Sequence, residues 1–274
     1  MIEIPEAATI ARQADEHLAG RTIVAAEAAH TPHGFACYTG DPARYASLAG
    51  TRLVGARATA RYVELDLGGQ RLALCDGARP RLLAADDPRP AKHQLLLELD
   101  DGCALVCTVQ MYAGITLVSD DDETDFYYQA ACDAPSPLTG AFTVDHLRAL
   151  AAGAKPSLST KGLLATEQRI PGLGNGCAQD ILFTARLHPQ RHVATLDDTD
   201  LVVLHRTVVD LLQAMTAAGG RDTEKDLFGQ PGGYRTILSA KTYELPCPGC
   251  GGSIVRKAFL GGNIYFCPTC QPKP

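Results

Sequence analysis

Four cysteines near the C-terminus, Cys247, Cys250, Cys267 and Cys270, are spaced C-x2-C-x16-C-x2-C. Two residues between thiolates let one tight turn present both sulfurs to a tetrahedral ion, and two such turns on a hairpin complete the shell. A redox pair is the competing chemistry, but one redox centre does not need two such pairs. The spacing therefore predicts one structural Zn2+ with no open position for catalysis, folding a hairpin too small to fold alone. A second candidate is RIPGLGNG, residues 169–176, between two helical patterns. Its glycines allow a tight turn whose N–H groups, with Asn175, can face an anion at the next helix's N-terminus. Glycine turns also join helices with no ligand at all, and that is their commoner use.

Several elements must position these groups. Residues 5–19, PEAATIARQADEHLA, open with proline and glutamate and end before Gly20, as a helix does. TIVAAEAA, RLVGARATARYVELDL, RLALC, HQLLLELD, CALVCTV and GITLV then read as strands separated by glycine, proline and Asp-Asp-Gly breaks. Short strands at this spacing predict an antiparallel sandwich or barrel. A Pro/Ser/Gly linker over 133–140 leads to four helical patterns, VDHLRALAAG, TKGLLATEQ, GCAQDILFTARL and DDTDLVVLHRTVVDLLQAMTAAG. The fold class is thus α+β and multidomain. An N-terminal helix and β-sandwich over 1–132 precede a helical domain over 141–235 and a cysteine hairpin over 236–274.

At 274 residues, 46% apolar and 20% charged, the chain can bury a substantial core. No apolar run reaches the roughly 18–20 residues of a membrane span, and the N-terminus lacks a signal-peptide pattern. A soluble, cytosolic monomer with no membrane partner is expected. The six cysteines outside the pairs, Cys37, Cys75, Cys103, Cys107, Cys132 and Cys177, read mostly as buried small hydrophobes. The net charge of −6 is a weak argument against nucleic acid, because it averages over faces. Asp120, Asp121, Asp122, Glu123 and Asp125 form one acidic run, expected to be a solvated loop. The tail from Leu245 to Pro274 has no acid and carries Arg256, Lys257 and Lys273, so a phosphate-binding face is possible.

The order of these parts resembles the formamidopyrimidine-DNA glycosylase / endonuclease VIII family over the whole chain. The best-matching pieces are Glu3, Pro5 and Glu6, then LLATEQRIPGLGNGCAQDILFTARLHP, and the finger CPGC…FCPTCQ. The resemblance implies a helix–two-turn–helix domain, a zinc finger, and damaged or abasic double-stranded DNA held in the cleft between domains. It implies that Gly174 and Asn175 of the turn, with Lys161 upstream, grip phosphates, and that the finger does so from the other side. Tyr112 of QMYAG, with Gln110 and Met111, falls where the family places a wedge that fills the gap left by a flipped base. A core tyrosine is the equally weighted alternative.

Three positions depart from the family pattern. The family's nucleophile is a proline exposed by removal of the initiator Met, whereas position 2 here is Ile2, next to which Met1 should be retained. The free amine then sits one residue further out, about 3.5 Å of chain away. A terminal α-amine with a pKa of about 7.7–8 remains a feasible nucleophile. Glu3 matches the family's proton-shuttling glutamate and Glu6 its helix-start acid; dipole stabilisation accounts for Glu6 better than for Glu3. Arg61 stands where a hairpin lysine is usual, keeping the charge but unable to act as base or nucleophile. Gly262 replaces the finger arginine. Met1, Ile2, Glu3, Glu6 and Arg61 are therefore the candidate catalytic set. The sequence leaves three readings: a glycosylase that excises oxidised or otherwise damaged bases with a weak or absent lyase step, a non-catalytic reader of damaged DNA, and a zinc-stapled interaction domain.

Overall fold

The computed structural model describes residues 1–119 and 125–273. Most of the acidic run, Asp120–Glu123, lies outside the described residues; Asp125 is exposed. The chain forms two compact units. One comprises Met1–Cys132 with Ala218–Gly233, the other Asp133–Ala217 with Tyr234–Pro274. Boundaries drawn along the sequence run in chain order, and the compact units do not: residues 218–233 pack with the N-terminal unit.

In the first unit, helix α1 (Ile4–Leu18) buries Ile4, Ala7, Ile10, Ala11, Ala14 and Leu18, a spacing of three and four that keeps one face apolar. Seven strands follow: β1 (Ile23–Ala28), β2 (Ala36–Tyr38), β3 (Gly55–Thr59), β4 (Tyr62–Asp66), β5 (Gln70–Leu83), β6 (Leu95–Leu99) and β7 (Ala104–Ser119). They hydrogen-bond in the order β1-β6-β7-β5-β4-β3, with β2 beside β7.

The CALVCTV and GITLV patterns are one strand, and β5 extends eight residues beyond RLALC. A register shift between Asp76 and Ala78 divides both long strands. Residues 70–76 pair with 113–119, and β4 and β3 continue from that half; residues 78–83 pair with 104–109, where β6 and β1 attach. Both halves belong to one seven-stranded hydrogen-bonded sheet. Leu72 and Leu74 from one and Leu97 and Leu105 from the other meet Ile10 and Ala14 of α1 in a single core.

Gly77 sits at the shift because a Cβ there would lie 2.0 Å from the Gln110 carbonyl oxygen and 2.6 Å from that of Tyr112. The short parallel strand β2, a 3-10 helix over Pro42–Leu48 and helix α2 (Phe126–Asp133) carried no signal strong enough to read from sequence. Of the six single cysteines, Cys75, Cys107 and Cys177 are buried as expected, Cys103 is half-buried, and Cys37 and Cys132 are exposed. Both exposed ones lie on elements the pattern missed, so their environment could not be anticipated.

Segment 218–233 is tied down by side chains of α1 and β5. Gln13 donates to Asp226 at 2.8 Å and accepts from the Leu227 N–H at 3.0 Å. The Leu82 N–H donates to the Leu227 carbonyl, and the Arg81 guanidinium to that of Asp226. Leu227 is part of the core, 1% exposed.

The second unit contains helices α3 (Val144–Ala152), α4 (Thr160–Ala165), α5 (Asn175–Thr184) and α6 (Asp198–Ala217), and the hairpin β8 (Val255–Phe259)–β9 (Gly262–Phe266). Thr143 and Ser159 cap α3 and α4 through side-chain oxygens that accept backbone N–H groups. The hairpin is bound to α5: the Gln179 amide donates to the Asn263 carbonyl at 2.8 Å and accepts from the Tyr265 N–H at 3.1 Å. Among the described residues no helix is long and apolar enough to cross a membrane.

Leu227→Ala should destabilise the protein by about 2–5 kcal/mol, the cost of a core leucine cavity, in urea denaturation. An unchanged midpoint would show that segment 218–233 is not part of the N-terminal core.

Candidate functional site

The N-terminus is fixed before any ligand arrives. Ile2 is 5% exposed, and its N–H donates to the Asp76 carbonyl at 2.6 Å. Met1 is left at the surface, with its ammonium donating to the Glu224 carboxylate at 2.6 Å. Glu3 caps α1 and Glu6 lies in its first turn, and both are buried.

The charge that balances them is Arg221, 2% exposed. Its Nε and Nη2 donate to the two carboxylate oxygens of Glu6 at 2.9 and 2.8 Å, and its Nη1 to Glu3 at 3.2 Å. The Arg221 and Glu3 backbone N–H groups also donate to Glu6. Gly220 approaches Glu6 at φ +95°, a conformation that favours glycine, and a Cβ there would stand 3.4 Å from the carboxylate.

Met1 opens onto a cavity of about 280 Å3 lined by Glu6, Arg79, Arg81, Gln110, Glu224 and Lys225 among others. An α-amine, a carboxylate able to take its proton, and three cationic side chains thus share one pocket. That combination suits a nucleophile acting on a phosphate-bearing substrate. Sequence reasoning found Met1, Ile2, Glu3, Glu6 and Gln110 but missed Arg79, Arg81, Arg221 and Glu224. The alternation R-P-R on a strand, which sends Arg79 and Arg81 to one face, was a usable signal. Nothing local marks Arg221, which meets Glu6 across 215 residues.

Arg61 occupies the two-residue turn of the β3–β4 hairpin, after Ala60 at φ 53°. It pairs with Asp76 at 3.1 Å, the residue whose carbonyl anchors Ile2. Burial is the largest influence and opposes its charge, but Asp76 together with the neighbouring Tyr62 and Cys75 raises its pKa overall and holds it protonated. At the crest of β7, Met111 (φ 66°) and Tyr112 are 69% and 56% exposed, so Tyr112 is a projecting ring and not a core tyrosine. The neighbouring Cys37 thiol raises its phenol pKa.

In the second unit, Gly174 is the N-cap of α5 and Asn175 its first residue. The Asn175 amide donates to the Asn263 carbonyl at 3.1 Å, while its buried Oδ1 has no hydrogen-bond partner. Lys161 is only 3% exposed; its ammonium donates to the Phe259 carbonyl at 2.6 Å, and burial lowers its pKa. Both residues therefore hold the cysteine hairpin against the helical turn. A Cβ at Gly262 would make ordinary contact with Asn175 at 3.6 Å, so a side chain fits there.

The four sulfurs of Cys247, Cys250, Cys267 and Cys270 lie within 4.8 Å of one another. Cys247 and Cys270 are 3.8 Å apart, and Cys250 and Cys267 are 3.5 Å apart. Tetrahedral coordination with bonds of about 2.3 Å places sulfurs about 3.8 Å from each other. The Gly249 N–H donates to Cys247 and the Cys270 N–H to Cys267, stabilising thiolates. Burial opposes ionisation of Cys267, but the Cys270 N–H and the adjacent thiols bring its pKa down to about 7. The cluster fits one metal ion.

Two family models match the chain: the formamidopyrimidine-DNA glycosylase N-terminal domain over residues 1–115 and the formamidopyrimidine-DNA glycosylase H2TH domain over 134–226. A formamidopyrimidine-DNA glycosylase of Chloroflexus aurantiacus is 30% identical over 99% of this chain and 98% of its own. One of Roseiflexus is 34% identical over 82% and 83%. The solved MutM (Fpg) protein of Thermus thermophilus aligns over 99% of both chains with a TM-score of 0.81 and 25% identity. The Lactococcus lactis Fpg, solved with DNA containing an abasic site, shares the fold at a TM-score of 0.84 and 23% identity, over 99% and 100%.

Arg221→Met leaves two buried carboxylates facing each other without their counter-charge. It should cost about 3–5 kcal/mol by chemical denaturation; a loss below about 1 kcal/mol would show that solvent or another cation already compensates them. Metal chelation should lower the melting temperature of the wild-type protein. In Cys250→Ser, whose cysteine cluster is already incomplete, the same treatment should lower it far less.

Proposed function

The chain belongs to the formamidopyrimidine-DNA glycosylase family, and on that premise we propose that it excises damaged bases from double-stranded DNA with the α-amine of Met1 as nucleophile. The observation that carries this reading is the placement of that amine: exposed, 2.6 Å from the Glu224 carboxylate, at the rim of a cationic pocket. Glu224 takes a proton from the ammonium, and the free amine attacks C1′ of the sugar. The bond from C1′ to the base then breaks. Glu3, two residues from the amine and held as a carboxylate by Arg221, is our candidate for taking the second amine proton once the bond to C1′ has formed and passing it to the departing base or sugar oxygen. Ile2 cannot serve in the amine's place, since its own nitrogen is an amide spent on Asp76.

Tyr112 and Met111 project from the β7 crest as an apolar wedge, with Gln110 beside them on the amine's cavity. Filling the gap left by a flipped base would offset part of an unstacking cost of a few kcal/mol. Gly174, Asn175 and Lys161 are proposed to meet phosphates at the start of α5, in addition to holding the hairpin. Zn2+ is the ion we assign to the four cysteines, because an all-thiolate tetrahedral shell suits it. Its chemistry there is structural: it closes the hairpin, and no step of base excision passes through it. Strand scission after base release should be slow, because Gly262 supplies no cation where the family's finger arginine stands.

Duplex carrying an abasic site, treated with the protein and borohydride, should give a covalent adduct that maps by peptide mass to Met1. Base release without an adduct would exclude the amine and leave a hydrolytic glycosylase; neither release nor adduct would leave only binding. Glu3→Gln should reduce base release by about 100-fold or more, the usual scale of general acid catalysis. Gly262→Arg should tighten binding to the same duplex about tenfold or more, as one charge-assisted contact does, with a steeper salt dependence.

A further inference from the structure

At one edge of the sheet, far in sequence from the cysteines, Glu27, His30 and His93 bring one ligand atom each within 4.8 Å of one another. The β1–β6 ladder places them. Glu27 lies opposite Leu96, and beyond the strands the Ala29 and Thr31 N–H groups donate to the carbonyls of Gln94 and His93. Ala29, at φ 57°, turns the chain so that the His30 ring stacks on the His93 ring at 4.5 Å and 12°.

His93 is the informative member. It is 4% exposed, and its Nδ1 lies 3.0 Å from the Pro90 carbonyl, which can only accept. Nδ1 therefore carries a proton, and in the neutral ring Nε2 presents a lone pair. That Nε2 is buried, has no hydrogen-bond partner, and faces a Glu27 carboxylate oxygen at 3.5 Å. A lone pair against a carboxylate is repulsive unless something positive lies between them. The other Glu27 oxygen is 2.8 Å from His30 Nδ1. A neutral His30 could donate to Glu27 and a single proton on His93 could fill the other gap, leaving one imidazolium stacked on a neutral ring; one divalent cation, with the half-exposed His30 ring turned out of the stack, would instead satisfy both rings and the carboxylate together.

We propose that Glu27, His30 and His93 form a second metal site, taking a divalent first-row cation of the Zn2+ type. The donor set of two imidazoles and one carboxylate suits such an ion, and a backbone carbonyl fixing the tautomer of a ligating histidine is the usual supporting contact. Ligand atoms about 2.0–2.2 Å from a tetrahedral centre lie about 3.4 Å from each other; His93 Nε2 and Glu27 already stand 3.5 Å apart, while His30, 2.8 Å from Glu27, would draw back slightly to admit the ion. Glu27 and His30 are half exposed, so water takes the fourth position. The ion would pin the end of β1 to the start of β6. This site is independent of the glycosylase reading, since none of its residues belongs to the amine's cavity.

The test counts metal in the full chain equilibrated with micromolar free zinc, by native mass spectrometry. Two equivalents are expected in the wild-type protein and one in His30→Gln and Glu27→Gln, both surface changes that spare the core; His93→Gln should behave alike if it folds. Cobalt added to protein carrying a single zinc equivalent, held by the four cysteines, should give visible d–d absorption without a thiolate charge-transfer band, absent from His30→Gln. One equivalent in the wild-type protein, or two retained in both surface variants, overturns the site. So does a His93 ring found doubly protonated and unchanged by added zinc, which would mean that a proton fills the place.

Discussion

A guanidinium at 2% exposure stands between two carboxylates at 4%, and the N-terminal region is organised around it. Breaking such a buried pair leaves an uncompensated charge, a cost of roughly 3–5 kcal/mol, although the intact pair contributes far less than that to net stability. What the pair supplies is position. Glu3 and Glu6 start α1, Arg221 belongs to the segment after α6, and Met1 and Glu224 lie immediately outside each partner. The ion pair thereby sets the terminal amine beside the Glu224 carboxylate. Gly220, which could not take a side chain at its φ without strain, lets the backbone come close enough to donate to Glu6 as well.

The bulge at Asp76–Ala78 is the matching constraint from the sheet. It divides the pairing of β5 with β7 into two halves, and its carbonyl at Asp76 holds Ile2 while its carboxylate holds Arg61. Gly77 permits the close approach to the Gln110–Tyr112 backbone, which lifts Met111 and Tyr112 out of the surface. One irregularity of the ladder thus positions the terminus, the hairpin cation and the apolar crest. The departures from the family at positions 2, 61 and 262 have structural counterparts of different kinds. Ile2 is absorbed into the core and Arg61 into an ion pair, while a Cβ at Gly262 would only touch Asn175 in ordinary contact.

The helical turn and the cysteine hairpin form a body of their own. Asn175, Gln179 and Lys161 each donate to a carbonyl of the hairpin, so residues that could meet phosphate also carry structural contacts. Burying an ammonium to hold one carbonyl is costly unless its other donors find partners. The Lys161 ammonium also lies 5.9 Å from the centre of the Phe259 ring, a cation–π contact that offsets part of that cost.

The sequence by itself determined the elements whose signal is local. Thiol spacing fixed the metal cluster, apolar periodicity fixed α1 and the long helices, and the quoted motifs fixed the family. The glycosylase reading and the N-terminal carboxylates were legible because they lie in short continuous strings. Tertiary structure alone decided what depends on residues far apart. Arg221 reaches Glu6 over 215 positions, Glu224 reaches Met1 over 223, and His93 faces Glu27 across two strands. It also decided that Tyr112 projects and that 218–233 packs with the first unit, since exposure and packing are set by neighbours that no window along the chain contains. Charge compensation, unlike periodicity or thiol spacing, leaves no local trace: a buried carboxylate needs a cation nearby in space, and the chain can bring it from anywhere.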